Sequence, residues 1–113
     1  MSLNIEISKS EAGRCQIQLQ GRLDTHTSPQ LESALAGLEG NAFPLQILDM
    51  KRLDYISSAG LRCIFKARKQ AVAGGALFLL VNLQPQVLKV LDIIRALPTE
   101  EIFANDLDLE EYL

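Results

Sequence analysis

Two short apolar runs, LQILDM at Leu45 to Met50 and ALFLLV at Ala76 to Val81, constrain this chain most. Each has the length of a strand, and both fall far short of the roughly 18–20 residues that a membrane helix needs. Leu45 to Met50 is too continuously apolar to leave one face in water, so it is expected at the centre of a sheet. Between the runs the period changes. Leu61, Ile64, Phe65, Ala71 and Val72 fall on one side of a helix, and Arg62, Lys66, Lys69 and Gln70 fall on another. That helix starts near Ser57 or Ser58 and stops at Gly74 and Gly75. A buried strand, an amphipathic helix and a second buried strand make an α/β protein.

The flanks extend the pattern. Leu3 to Ser8 and Cys15 to Gln20 alternate apolar and polar residues around a turn at Glu11, Ala12 and Gly13, which predicts a hairpin with one solvated face. After Gly21, Thr25 to Pro29 supplies capping hydroxyls and an early proline. Leu31, Ala34, Leu35 and Leu38 then follow at helical spacing until Gly37 and Gly40. Beyond Pro85, Val87, Val90, Leu91 and Ile94 mark a third helix, with Leu88 and Ile93 off its stripe, either buried by close packing in a small domain or forming a partner or dimer surface. After Pro98, Glu101 to Ala104 suits a small edge strand, and Asn105 or Asp106 can cap a last helix through Leu107, Leu109 and Tyr112. The order is β-β-α-β-α-β-α-β-α: a mixed central sheet with about four helices mainly on one face, in a single domain over residues 1–113.

A net charge of −3 argues against a nucleic-acid module, which gathers Lys and Arg against phosphates. The N-terminus has no basic segment leading into a long apolar stretch, so a cytoplasmic protein without a membrane partner is expected. Cys15 and Cys63 lack companions at metal-ligand spacing and read as reduced packing thiols. There is no glycine-rich phosphate loop, no metal cluster and no nucleophile with an evident base, so neither catalysis nor a cofactor or metal is expected. The lone histidine, His26, reads as a loop residue before the first helix.

The most informative segment is LDMKRLDYISSAGLR, Leu48 to Arg62, which joins the central strand to the second helix through Ser57, Ser58, Ala59 and Gly60. A helix start has unpaired backbone N–H groups and a partial positive charge, so it can stabilise an added phosphate. Small residues there would keep it open to approach. A serine before an apolar helical run is also a routine cap.

This segment resembles the signature of the STAS family, which includes anti-sigma factor antagonists and the cytoplasmic domains of sulphate transporters. GRLDTHT, Gly21 to Thr27, is similar to the family's Gly-x-Leu-Asp turn, and ILDM precedes the SSAGL helix start in the same order. The resemblance spans nearly the whole chain. It implies a phosphorylation-controlled switch: Ser58 would be the acceptor for a kinase-type anti-sigma factor, and a serine phosphatase of the PP2C type would remove the phosphate. Many phosphorylated antagonists have Asp just before that serine, whereas this chain has Ser57, which either caps the helix or is an alternative acceptor. The partner surface implied is Asp24, Thr25, His26, Ser57, Ser58, Ala59, Gly60 and Arg62, with the end of the Asp49 strand nearby. Arg62 could neutralise the phosphate, Asp24 either touches the partner or shapes its turn, and Asp54 reads as a loop residue. A monomer or weak homodimer fits this role. The alternatives are a STAS scaffold or ligand-sensing subunit that is not phosphorylated, and an accessory domain of an anion transporter.

Overall fold

The computed structural model describes residues 2–10, 13–36, 44–94 and 102–113, the side chains of 92–94 excepted. Expectations for Glu11, Ala12, Gly37, Leu38, Gly40, Pro98, Glu101 and the side chains of Ile93 and Ile94 lie outside these residues. Strands β1 (Leu3–Lys9) and β2 (Arg14–Leu23) form the hairpin, antiparallel from Leu3 opposite Gly21 to Lys9 opposite Cys15. Helix α1 (Ser28–Ala36), strand β3 (Leu45–Ile56), helix α2 (Ser58–Ala73), strand β4 (Leu77–Val81), helix α3 (Pro85–Ile94), strand β5 (Ile102–Phe103) and helix α4 (Asp106–Tyr112) follow. The sheet order is β1-β2-β3-β4-β5, parallel from β2 onward.

Residue alternation divides the sheet into two faces. Ile17, Leu19, Leu48, Met50, Phe78 and Leu80 point to one core, where Leu31 of α1, Leu61 and Ile64 of α2, and Val87 and Leu91 of α3 cover them. Ile47, Leu79 and Val81 point the other way, where α4 is the helix among the described residues that meets them, through Leu109. Among the described residues the helices therefore lie three to one, mainly on one face as expected. Asn105 caps α4 by accepting the Asp108 N–H at 2.8 Å, and Arg14 ties that helix to β2 by pairing with Glu110 at 2.6 Å. Both cysteines are free and buried, and burial raises both thiol pKa values.

Two strands run longer than the apolar pattern indicated. β2 continues through Gly21, whose φ of +110° and contact with the Ser2 carbonyl leave no room for a Cβ. β3 continues past Met50 for six more residues to Ile56. Beyond Asp49 its pairing with β4 ends, yet β2 still pairs with it up to Leu23 opposite Ile56. On the unpaired side, Gln84 Nε2 donates to the Lys51 carbonyl at 2.9 Å and Gln86 Nε2 to the Asp54 carbonyl at 3.1 Å. These two amides satisfy backbone acceptors that a neighbouring strand would otherwise take.

Candidate functional site

The start of α2 is built by the ends of β2 and β3. Ser57 is extended, at φ −100° and ψ 175°, and its N–H donates to the Leu23 carbonyl at 2.9 Å, which fixes the chain as it leaves the sheet. Its Oγ accepts the Gly60 N–H at 3.2 Å, and its carbonyl accepts the Leu61 N–H at 2.9 Å. Ser57 is thus the N-cap. Ser58, the first helical residue, is exposed, and its hydroxyl makes no hydrogen bond among the described residues.

Gly60 has a different task from the one its size suggested. It is buried, and a Cβ there would lie 2.8 Å from both Leu23 Cγ and the Leu23 carbonyl. Its smallness lets α2 sit against the end of β2, so it faces inward and does not open the surface. Ala59 is half-buried, and Arg62 is exposed one turn after Ser58, without an ion pair among the described residues.

The Asp24 turn adjoins this start because Leu23 carries the hydrogen bond to Ser57. Asp24 Oδ1 accepts the His26 N–H at 2.9 Å and the Thr27 N–H at 3.0 Å. Thr27 Oγ1 accepts the Asp24 N–H at 2.9 Å and donates to the Arg22 carbonyl at 2.8 Å. Of its two suggested roles, Asp24 visibly performs loop shaping. The Thr27 amide first, and that of His26 after it, lower the pKa of the Asp24 carboxyl. Thr25 and His26 are exposed at the tip of this turn.

The Asp49 strand, β3, does end at the α2 start as the resemblance implied, but its two acidic residues lie within the strand. Asp49 is in mid-strand, seven residues before Ile56 and so roughly 23 Å along β3 from the α2 start, because the strand persists beyond its apolar part. Its carboxylate is buried, accepting from Gln16 Nε2 at 3.4 Å, Asn82 Nδ2 at 3.2 Å and the Lys51 N–H at 3.1 Å. Asp54 belongs to β3 and accepts from Gln84 Nε2 at 3.4 Å.

Sequence reasoning missed Arg22 and Tyr55, which pair across β2 and β3. The Arg22 guanidinium lies 4.1 Å from the Tyr55 ring centroid, and its Nε lies 3.9 Å from Asp24. No motif signals this contact, which depends on β2 continuing past Gly21 and on a register shift between Gly21 and Arg22.

The STAS domain family model matches residues 4–107. The chain belongs to the STAS domain family. It is 39% identical over 75 residues to BtrV of Bordetella bronchiseptica, named as a proposed anti-sigma factor antagonist; the match covers 66% of this chain and 65% of that protein, just under two thirds of its length. Among solved structures, a proposed anti-sigma factor antagonist from Thermotoga maritima superposes with a TM-score of 0.83 at 15% identity, covering 96% of this chain and 92% of the other. The Bacillus cell fate determinant SpoIIAA, solved in its phosphorylated form, superposes with a TM-score of 0.76 at 18% identity, covering 96% and 98%. Likeness at such identities establishes the fold alone. No helix among the described residues is long and apolar enough to cross a membrane.

Proposed function

We propose that this STAS domain is an anti-sigma factor antagonist that acts by partner switching, with Ser58 as its phosphorylation site. The observation that carries the reading is the division of labour at the α2 start: Ser57 spends its hydroxyl on the cap, while Ser58 is exposed with its hydroxyl uncommitted. A kinase can reach such a hydroxyl without unfolding the helix. The relative in Bordetella bronchiseptica carries the matching name, and a protein of this fold has been solved phosphorylated.

Unphosphorylated, the Ser58 surface and the exposed Thr25 and His26 beside it dock on a kinase-type anti-sigma factor. Asp24 and Gly60 act behind that surface, one holding the turn and the other seating the helix. Phosphate adds about −1.5 to −2 charges to the docked surface. Reversing a 99:1 population takes about 5.5 kcal/mol of differential binding, a cost within reach of a phosphate desolvated without a matching cation. In the free protein Arg62 partly neutralises the phosphate from one turn away. A serine phosphatase of the PP2C type resets the domain.

The test is intact mass and site mapping after incubation with ATP and the kinase-type anti-sigma protein of the same organism. One phosphate is expected on the wild type and on Ser57→Ala, and none on Ser58→Ala. Ser57, standing where many phosphorylated antagonists have Asp, favours a second reading, an unphosphorylated scaffold or ligand-sensing subunit. Stable binding to the partner with no phosphate transfer would establish that reading instead.

A further inference from the structure

On the sheet face that carries α4, the helix packs its buried Leu109 against Ile47, Leu79 and Val81 of β3 and β4 among the described residues. The β1–β2 side presents polar side chains over an open cleft of about 340 Å³. Its charges are sorted along the strands. Asn4 pairs with Gln20 and Gln20 with Arg52, forming a row that ends in a cation; Glu6 pairs with Gln18 and Gln18 with Asp49, forming a row that begins and ends in carboxylates. Rows two residues apart are separated by roughly 7 Å.

A bulge produces the cationic end. Between Gln18 and Gln20 the partner register advances from Asp49 to Arg52, so β3 spends one more residue than β2. Consecutive residues of a regular strand face opposite sides, yet Lys51 and Arg52 both line this cleft. The Lys51 N–H in the bulge is taken by Asp49 Oδ1 at 3.1 Å, and its carbonyl by Gln84, so the irregular backbone is held on both sides. Neither cation forms an ion pair among the described residues, nor does Glu6. Asp106, at the start of α4, adds a third carboxylate to the lining, against the two cations.

The geometry points to this cleft as a binding site for a small diamino monocarboxylic acid, of which lysine is the simplest common example. Its carboxylate lies against Lys51 and Arg52, and its terminal ammonium, an extended chain away, lies against Glu6 of the facing row, while Asp106 is held on the far side of the cleft by Asn82 at 3.0 Å. A ligand carrying one net positive charge complements a lining with one carboxylate in excess. The side-chain amide oxygens of Asn4, Gln18 and Gln20 are acceptors for the ligand's α-ammonium, which sits beside its carboxylate and only donates.

The experiment is an NMR titration of the ¹⁵N-labelled full chain with L-lysine at constant ionic strength, following the side-chain amides of Gln18 and Gln20. L-norleucine, which lacks the terminal ammonium, and L-glutamate serve as comparisons. Saturable shifts are expected with lysine, with binding about tenfold weaker for norleucine and for each of Glu6→Gln, Lys51→Gln and Arg52→Gln. These three positions are exposed, so the backbone spectrum should otherwise be preserved. Absence of a saturable shift, an equal response to glutamate, or unaltered lysine binding in Glu6→Gln would overturn the assignment.

Discussion

The starts of α1 and α2 lie side by side and solve the same problem in opposite ways. Before α1, Asp24 and Thr27 cap each other's amides, and the Thr27 hydroxyl also reaches the Arg22 carbonyl, so the turn closes on itself. Before α2, Ser57 takes a single amide, and the next hydroxyl, on Ser58, has no partner among the described residues. A closed turn can orient a neighbour but has little left to offer a ligand. An open helix start keeps free donors and a partial positive charge where a modification or partner can use them. The first is therefore a support, and the second is the start proposed as the contact point.

The most severe way to break this arrangement is Gly60→Ala. An alanine in an open helix would gain up to about 1 kcal/mol, but here its methyl overlaps Leu23, and a net loss of about 1–3 kcal/mol is expected in urea unfolding. Thr27→Ala removes the reciprocal cap of the closed turn and should cost about 1–2 kcal/mol by the same measurement. At the open start the two serines should separate: about 1 kcal/mol lost for Ser57→Ala, and within about 0.5 kcal/mol of wild type for Ser58→Ala. Equal losses for the two would erase the distinction between cap and free hydroxyl.

A subtler test uses pH. The folded pKa of Asp24 is lowered, so its charge stabilises the fold above the unfolded carboxylate value near about 4, and that contribution fades as pH falls through the folded pKa. Asn can accept the same hydrogen bonds but does not titrate. The urea midpoint of Asp24→Asn should therefore approach that of wild type as pH drops below about 4, and lie below it at neutral pH. A difference independent of pH would remove the charge from the account.

Much of this contrast was legible in the residues themselves. Serines before an apolar helical stripe announced the α2 start, and glycines at 74 and 75 announced its end, where Gly74 N–H reaches the Gln70 and Ala71 carbonyls and Gly75 takes φ +85°. The family resemblance singled out Ser58, and the geometry shows which serine is occupied as the cap. What escaped was non-local. Lys51, Arg52 and Asp54 look like loop residues, yet they lie in β3 because β2 pairs on one side and the amides of Gln84 and Gln86 serve the other. The position of Asp49 and the stacking of Arg22 on Tyr55 depend on that continuation. Gly60 looked like a door left open, and only the position of Leu23 shows that it is packing.

In the proposed switch, charge at Ser58 decides whether the domain holds its partner. Calorimetric titration of the kinase-type anti-sigma protein, without ATP, with unmodified protein and with protein phosphorylated at Ser58 tests it directly. Phosphate is expected to weaken binding by about 10⁴-fold, the change that reverses a 99:1 population, while the fold is retained. Equal affinity of the two forms would contradict it.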